Sequence, residues 1–141
     1  MELKFKYIVN HIGIATPDIQ KTSDFYKALG YEETYGSYDI GQNVYGYFYK
    51  KEGMPTIELL APYDDKSPVN KFISKNGVSP YHICYEVFCK LEDAIAEMRK
   101  NRFIPVGKID VSKGMGNKRM IFLFHKDVGL IELVEHEETT E

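Results

Sequence analysis

The sequence predicts an α+β fold made of two βαβββ modules in tandem. The first observation is a repeat, because residues 11–31 and 82–103 each begin with His-Ile in an apolar strand and continue into an amphipathic helix. The second is that three strand-like runs, separated mostly by polar turns that contain glycine, follow each helix. The third is the length, because 141 residues suit one domain with a substantial core.

The first module begins with the strand around His11 and its helix. Thr16 is expected to cap this helix, with Pro17 in its first turn, and both residue types favour a helix N-terminus. Gly30 follows the last apolar residue and is typical of a helix C-terminus. Three strands are predicted after the helix, at about 33–39, 43–50 and 56–61.

The second module repeats this order. Leu91, Ala94, Ile95 and Met98 recur at helical spacing, which predicts a helix over about 91–101. Three strands are predicted after this helix, at about 104–111, 118–124 and 129–135.

A short helical linker is predicted between the modules. Pro68 suits its first turn and Gly77 its end. The predicted organisation is therefore one domain over 1–141, with modules at about 5–62 and 80–136.

Composition excludes several classes of function. The formal net charge is −3 and no basic run rises above the acidic background, which argues against a nucleic-acid partner. No apolar run approaches the ~18 residues of a membrane span, and the N-terminus lacks the apolar region of a signal peptide. Cys84 and Cys89 are too few for a disulfide framework, so we predict reduced thiols in a cytoplasmic protein.

Two histidines and two glutamates occupy equivalent places in the modules. His11 and His82 lie on the first strand of each module, and Glu58 and Glu132 lie on the last. A single histidine in such a strand is ordinarily a core residue, and a single glutamate ordinarily faces solvent at a sheet edge. The recurrence of both types at matched positions instead favours one shared site.

A divalent metal ion explains why these four residues would converge. Two glutamates gathered on one face repel each other and are costly to bury without a counter-charge. A divalent cation removes that repulsion and accepts two neutral imidazoles as well. We therefore predict one ion, Zn, Ni, Co, Mn or Fe, held by His11, Glu58, His82 and Glu132. A metal with open positions is a Lewis acid that stabilises an enolate.

Three further residues are candidates for contact with a substrate. The stretch KGMGNKR, residues 113–119, could bind a carboxylate or phosphate through Lys118 and Arg119. The alternative is a solvated hairpin turn. Tyr47 alternates with two other tyrosines on one strand, which suits either a pocket wall or cross-strand packing. His136 lies in an acidic tail that is expected to fray, and no function is predicted for it.

Three stretches, "NHIGIATPDIQKTSDFYKALGY", "YHICYEV" and "LIELVE", are most similar to the epimerase branch of the vicinal oxygen chelate superfamily. This superfamily includes glyoxalase I, methylmalonyl-CoA epimerase, extradiol dioxygenases and bleomycin-resistance proteins. The resemblance covers about 7–135. It implies a glyoxalase-like incomplete barrel around a metal whose ligands are His11, Glu58, His82 and Glu132. It also implies a homodimer.

The same resemblance implies a metal-dependent lyase or isomerase of the glyoxalase I or methylmalonyl-CoA epimerase type. Such an enzyme removes the proton α to the carbonyl of a small carbonyl or thioester substrate. Epimerases carry a glutamate that resembles a catalytic base in an E-x-G-V stretch, and Gly41 stands at that place here. We therefore predict that Glu132 or Glu58 is the base. The alternatives are a small-molecule binding or resistance protein of the same fold, and an Fe(II) dioxygenase.

Overall fold

The computed structural model describes residues 1–137, so the last four residues of the predicted 1–141 domain lie outside the described residues. It contains eight strands and three α-helices within this range, which confirms the predicted α+β class. Their order is β1 (Tyr7–Ala15), α1 (Ile19–Ala28), β2 (Glu32–Asp39), β3 (Val44–Lys50), β4 (Thr56–Pro62), α2 (Val69–Asn76), β5 (Ser79–Val87), α3 (Leu91–Lys100), β6 (Ile104–Ser112), β7 (Lys118–His125) and β8 (Gly129–Glu135).

The strands follow the order β2-β3-β4-β1-β5-β8-β7-β6 across the sheet. The chain divides into two compact units, one formed by residues 11–81 and the other by residues 1–10 with residues from 82 onward. In the first unit β1 pairs in parallel with β4, and the β2-β3-β4 pairs are antiparallel. In the second unit β5 pairs in parallel with β8, and the β6-β7-β8 pairs are antiparallel.

In the first unit, the two faces of the sheet pack against different helices. Ile14 and Leu59 share a core cluster with Ile19 and Tyr26 of α1. On the other face, Ala15 and its neighbours pack against α2, in a cluster of buried residues made of Ala15, Val44, Leu60 and Val69. Since side chains alternate along a strand, the face that carries Leu60 also carries Glu58.

The second unit packs α3 on its sheet. Leu91, Ala94 and Met98 of the helix join a buried cluster with strand residues that include Leu123 and Leu133. The residues whose spacing predicted the helix are therefore the ones that α3 buries against the sheet. Glu132 lies between Ile131 and Leu133, and so on the opposite face of the strand from this cluster.

The start of the first helix differs from the expectation. Asp18, not Thr16, is its N-cap, and the Asp18 carboxylate accepts a hydrogen bond from the Lys21 backbone N–H. Thr16 instead lies earlier in the turn, where its hydroxyl accepts hydrogen bonds from the Asp18 backbone N–H and the Thr22 hydroxyl. Gly30 has a φ of 98°, as expected for a glycine that ends a helix.

Within residues 1–137, no helix combines the length and the apolar character that crossing a membrane requires.

Candidate metal centre

The first unit brings His11 and Glu58 together. β1 and β4 run in parallel, with Gly13 in register with Glu58. His11 precedes Gly13 by two residues and therefore faces the same side of the sheet. The His11 Nε2 atom lies 3.1 Å from Glu58 Oε1, and the imidazole is fully buried.

The second unit repeats this arrangement with His82 and Glu132. Cys84 on β5 is in register with Glu132 on β8, and His82 again precedes the paired residue by two. The His82 Nε2 atom lies 3.1 Å from Glu132 Oε1, and both side chains are buried. The local structure that sequence repetition predicted is thus present in both halves.

A phenylalanine borders each imidazole. Phe48 is in register with Glu58, and its ring meets the His11 ring edge-on with centroids 5.2 Å apart. Phe122 is in register with Glu132 and meets the His82 ring in the same way at 5.1 Å. Each phenylalanine therefore packs against its imidazole with the T-shaped geometry that aromatic pairs prefer, and so restrains the orientation of the ring.

Gly46 leaves space beside Glu58. A Cβ atom at position 46 would lie 3.0 Å from Glu58 Oε2, which is closer than ordinary van der Waals contact. The equivalent position in the second module is Met120, which is in register with Val134 as Gly46 is with Leu60. The surroundings of the two glutamates therefore differ on this side.

One ligand atom from each of four residues, His11, Glu58, His82 and Glu132, lies within 4.8 Å of the other three. Two imidazole nitrogens and two carboxylate oxygens form a donor set that suits Zn, Fe, Co, Ni or Mn. The residues present therefore fit a divalent ion, as predicted from the repeated spacing.

Lys118 lies on the same face of its sheet as Glu132. Phe122 on β7 is in register with Glu132, so Met120 and Lys118, at intervals of two, share its face. The Lys118 Nζ atom lies 3.3 Å from Glu86 Oε1, and the lysine side chain is partly exposed. The predicted contact of Lys118 with a substrate stays a prediction that this position favours.

Arg119 faces the other way and is engaged by two carboxylates. Its guanidinium donates hydrogen bonds of 2.7 and 2.8 Å to Glu92, and of 2.6 and 3.1 Å to Glu135. The hydrogen bonds that Arg119 donates to Glu92 lower the pKa of Glu92 to about 2. Arg119 thus joins β7, β8 and α3, which is a structural role that the sequence-based prediction of substrate contact did not include.

Tyr47 lies on the face of β3 opposite Glu58. It is in register with Leu59 and packs against the core cluster beneath α1. Its ring also occupies the space in which Gly36 would carry a Cβ atom, since such an atom would lie 2.2 Å from Tyr47 Cδ1. Of the two roles that the sequence left open, this position favours packing.

Sequence reasoning missed a polar cluster around the buried Glu86. His136 is not frayed, because its backbone N–H donates to the Val87 carbonyl at 2.9 Å and its ring packs on Phe88. The His136 Nδ1 atom lies 2.5 Å from Glu86 Oε2. The available signal was Glu86 itself, a carboxylate that shares a face with His82 in an apolar strand.

Comparison with known proteins agrees with this fold. The sequence model of the Glyoxalase/Bleomycin resistance protein/Dioxygenase superfamily matches residues 10–124, and the chain belongs to this superfamily.

Within it, the chain is similar to methylmalonyl-CoA epimerases. The mitochondrial enzyme of Homo sapiens is 30% identical over 128 residues, covering 89% of this chain and 72% of the relative. That of Dictyostelium discoideum is 34% identical over 135 residues, covering 90% and 77%. The crystal structure of the Mycobacterium tuberculosis enzyme has a TM-score of 0.79 at 27% identity, covering 92% of this chain and 88% of that one.

Proposed function

We propose that this chain is a metal-dependent epimerase that inverts the carbon α to the carbonyl of an acyl-CoA thioester. The observation that carries the proposal is the set of four donor atoms within 4.8 Å of one another. The epimerase relatives support the reaction class. Two similar epimerase structures, solved with 2-nitronate-propionyl-CoA and with methylmalonyl-CoA, support a thioester substrate.

In this proposal His11, Glu58, His82 and Glu132 hold one divalent ion. When bound, the ion supplies Lewis-acid stabilisation of the negative charge that develops on the thioester oxygen. The buried imidazoles and their phenylalanine neighbours exclude water from one side of the donor set. Metal analysis of protein purified without chelators identifies the ion.

Glu132 and Glu58 are the proposed acid–base residues, and each acts in this proposal as a ligand that leaves the metal before it takes or gives a proton. Epimerisation requires one proton to leave the α-carbon and another to arrive on its opposite face. An ionised carboxylate takes the proton while the electron pair of the C–H bond moves toward the thioester carbonyl. A protonated carboxyl group on the other face then returns a proton to carbon. Gly41, which lies in the turn between β2 and β3, brings no side chain to this chemistry.

Lys118 is the proposed contact for an anionic group of the substrate. It shares a sheet face with Glu132 and carries a positive charge on a partly exposed side chain. Arg119 and Tyr47 are not part of this proposal, because Arg119 pairs with two carboxylates and Tyr47 packs in the core. A homodimer and a cytoplasmic location are proposed as well, and light scattering and cell fractionation test them.

The test is turnover of one enantiomer of methylmalonyl-CoA in D2O. We expect inversion together with deuterium at the α-carbon, loss of both after treatment with EDTA, and recovery after addition of a divalent ion. Absence of exchange by fully metal-loaded protein would reject an epimerase of this substrate.

A further inference from the structure

Glu86 is a buried carboxylate at the centre of a polar cluster in the second unit, and the Lys118 and His136 side chains of this cluster are partly exposed. The Glu86 carboxylate accepts hydrogen bonds from Asn10 Nδ2 at 2.9 Å and from Lys118 Nζ at 3.3 Å, and its other oxygen lies 2.5 Å from His136 Nδ1. Only 5% of Glu86 is exposed. The cluster therefore ties together three strands and the residue that follows β8.

The cluster keeps Glu86 ionised. Burial raises the pKa of a carboxyl group, but hydrogen bonds from His136 and Asn10 and the charge of Lys118 outweigh burial, so the pKa of Glu86 is lowered. An ionised Glu86 holds the Lys118 ammonium through charge as well as through a hydrogen bond.

The first module shows that the fold does not require charge at this place. Glu86 lies four residues after His82, and the residue four after His11 is Ala15. Lys118 lies 14 residues before Glu132, and the residue 14 before Glu58 is Val44. Ala15 and Val44 belong to an apolar cluster that packs against α2.

Replacing such an apolar cluster by ion pairs around a buried carboxylate commonly costs stability or is neutral. The second module nevertheless carries a carboxylate, an ammonium, an amide and an imidazole at this place. Binding of a substrate explains the presence of these polar residues better than packing of the fold does.

Position on the sheet connects the cluster with the metal ligands. Glu86 shares a face of β5 with His82, and Lys118 shares a face of β7 with Phe122, the ring that borders His82. Lys118 lies about 13 Å along the strand from Phe122. A substrate that extends from the ligands along this face meets the Lys118 ammonium.

We propose that Glu86 is a positioning residue that holds the Lys118 ammonium where it binds the carboxylate or phosphate of an acyl-CoA substrate. This inference rests on the proposed function. Glu86 does not contact the substrate in this account. Its side chain fixes the place of Lys118, whose remaining N–H groups donate to the substrate anion.

A double-mutant cycle on KM tests the inference with methylmalonyl-CoA. Lys118→Met is expected to raise KM about tenfold, because a charge-assisted hydrogen bond is lost, with kcat changed less than about twofold. Glu86→Gln is expected to raise KM several-fold in the native background and to have no further effect in the Lys118→Met background. Glu92→Gln, a matched change at the exposed partner of Arg119, is the control and is expected to leave KM unchanged.

Equal effects of Glu86→Gln on KM in both backgrounds would overturn the positioning role, as would a loss of stability without any change in KM. A native enzyme that turns over no acyl-CoA would overturn the proposed function together with this inference. A native enzyme that is active but shows no coupling would overturn the inference alone.

Discussion

The two modules resemble each other in how each imidazole contacts a glutamate and a phenylalanine, and they differ further along the same face of the sheet. In both modules an Nε2 atom lies 3.1 Å from a glutamate oxygen, and a phenylalanine ring borders the imidazole edge-on. Further along the same face, the first module has Ala15 and Val44 beneath a helix, whereas the second has Glu86 and Lys118. The proposed metal centre therefore draws ligands from both modules, whereas the proposed contact with a substrate anion lies in the second.

Replacing one of the two glutamates at a time is expected to have the largest effect on activity, and it tests whether the two modules contribute alike. Glu132→Gln should lower turnover by about 100-fold or more, because an amide cannot accept the α-proton, with only a modest loss of bound metal. Glu58→Gln is the matched change in the first module. Chiral assay and deuterium exchange in D2O measure inversion and proton removal separately.

If the two glutamates serve opposite faces, each variant should still exchange the α-proton of one enantiomer without inverting it. Full activity of Glu132→Gln would refute its role as a base.

Filling the space beside Glu58 is expected to have the next largest effect. Gly46→Ala places a Cβ atom 3.0 Å from the present position of Glu58 Oε2, so the carboxylate must shift. Metal affinity should fall about tenfold, as it does when the groups that orient a ligand are disturbed. Titration of metal-free protein measures this change.

Ser37→Ala on the neighbouring strand is the control for Gly46→Ala, since Ser37 is in register with Gly46. A Gly46→Ala variant that binds metal as tightly as this control would show that Glu58 does not need the space.

The N-termini of α1 and α3 are capped differently, and removing each cap is expected to change the stability of the fold alone, by a smaller amount. Asp18 caps α1 locally, whereas the Leu91 N–H at the start of α3 donates to Glu135 of β8 at 2.7 Å. Asp18→Ala should cost about 1 kcal/mol of unfolding free energy. Glu135→Ala should cost about 1–2 kcal/mol, because it also removes a partner of Arg119. Urea denaturation measures both, and a larger cost for Asp18→Ala would contradict this ranking.

The smallest expected effect is on the pH dependence of stability. Lowering the pH should remove the stabilisation that the ionised Glu86 of the second module contributes. Because the pKa of Glu86 is lowered from 4.5, its carboxylate stabilises the folded chain at pH above 4.5. That contribution is lost as the pH falls through the lowered pKa. The difference in unfolding free energy between the native chain and Glu86→Gln should therefore shrink as the pH falls below 4.5. A difference independent of pH from 7 to 3 would contradict an ionised Glu86.

Regular spacing made most of the fold predictable. The predicted strands at 43–50 and 129–135 match β3 and β8 within one residue, because alternation and glycine turns mark their ends. The helical linker predicted between Pro68 and Gly77 contains α2, and Gly77 ends the helix with a φ of 67°. The four candidate metal ligands could be selected for the same reason, since each lies at a matched place in a repeated unit.

The parts that spacing could not predict depend on partners distant in sequence. Asn10 and His136 lie 76 and 50 residues from Glu86, and no local pattern pairs them. The partners of Arg119 come from α3 and β8, so its place in an ion-pair cluster is a property of the tertiary structure. The packing role of Tyr47 follows from the register of β3 with β4, which the sequence did not specify.

Metal titration of the His11→Ala and His82→Ala variants tests most directly whether the two modules share one ion. We expect native protein stripped of metal to bind one Co2+ per chain. Each variant should lose more than about 100-fold in affinity, since the groups that merely orient metal ligands already contribute about 10–100-fold. Two ions per native chain, or tight binding that survives either substitution, would contradict the shared centre.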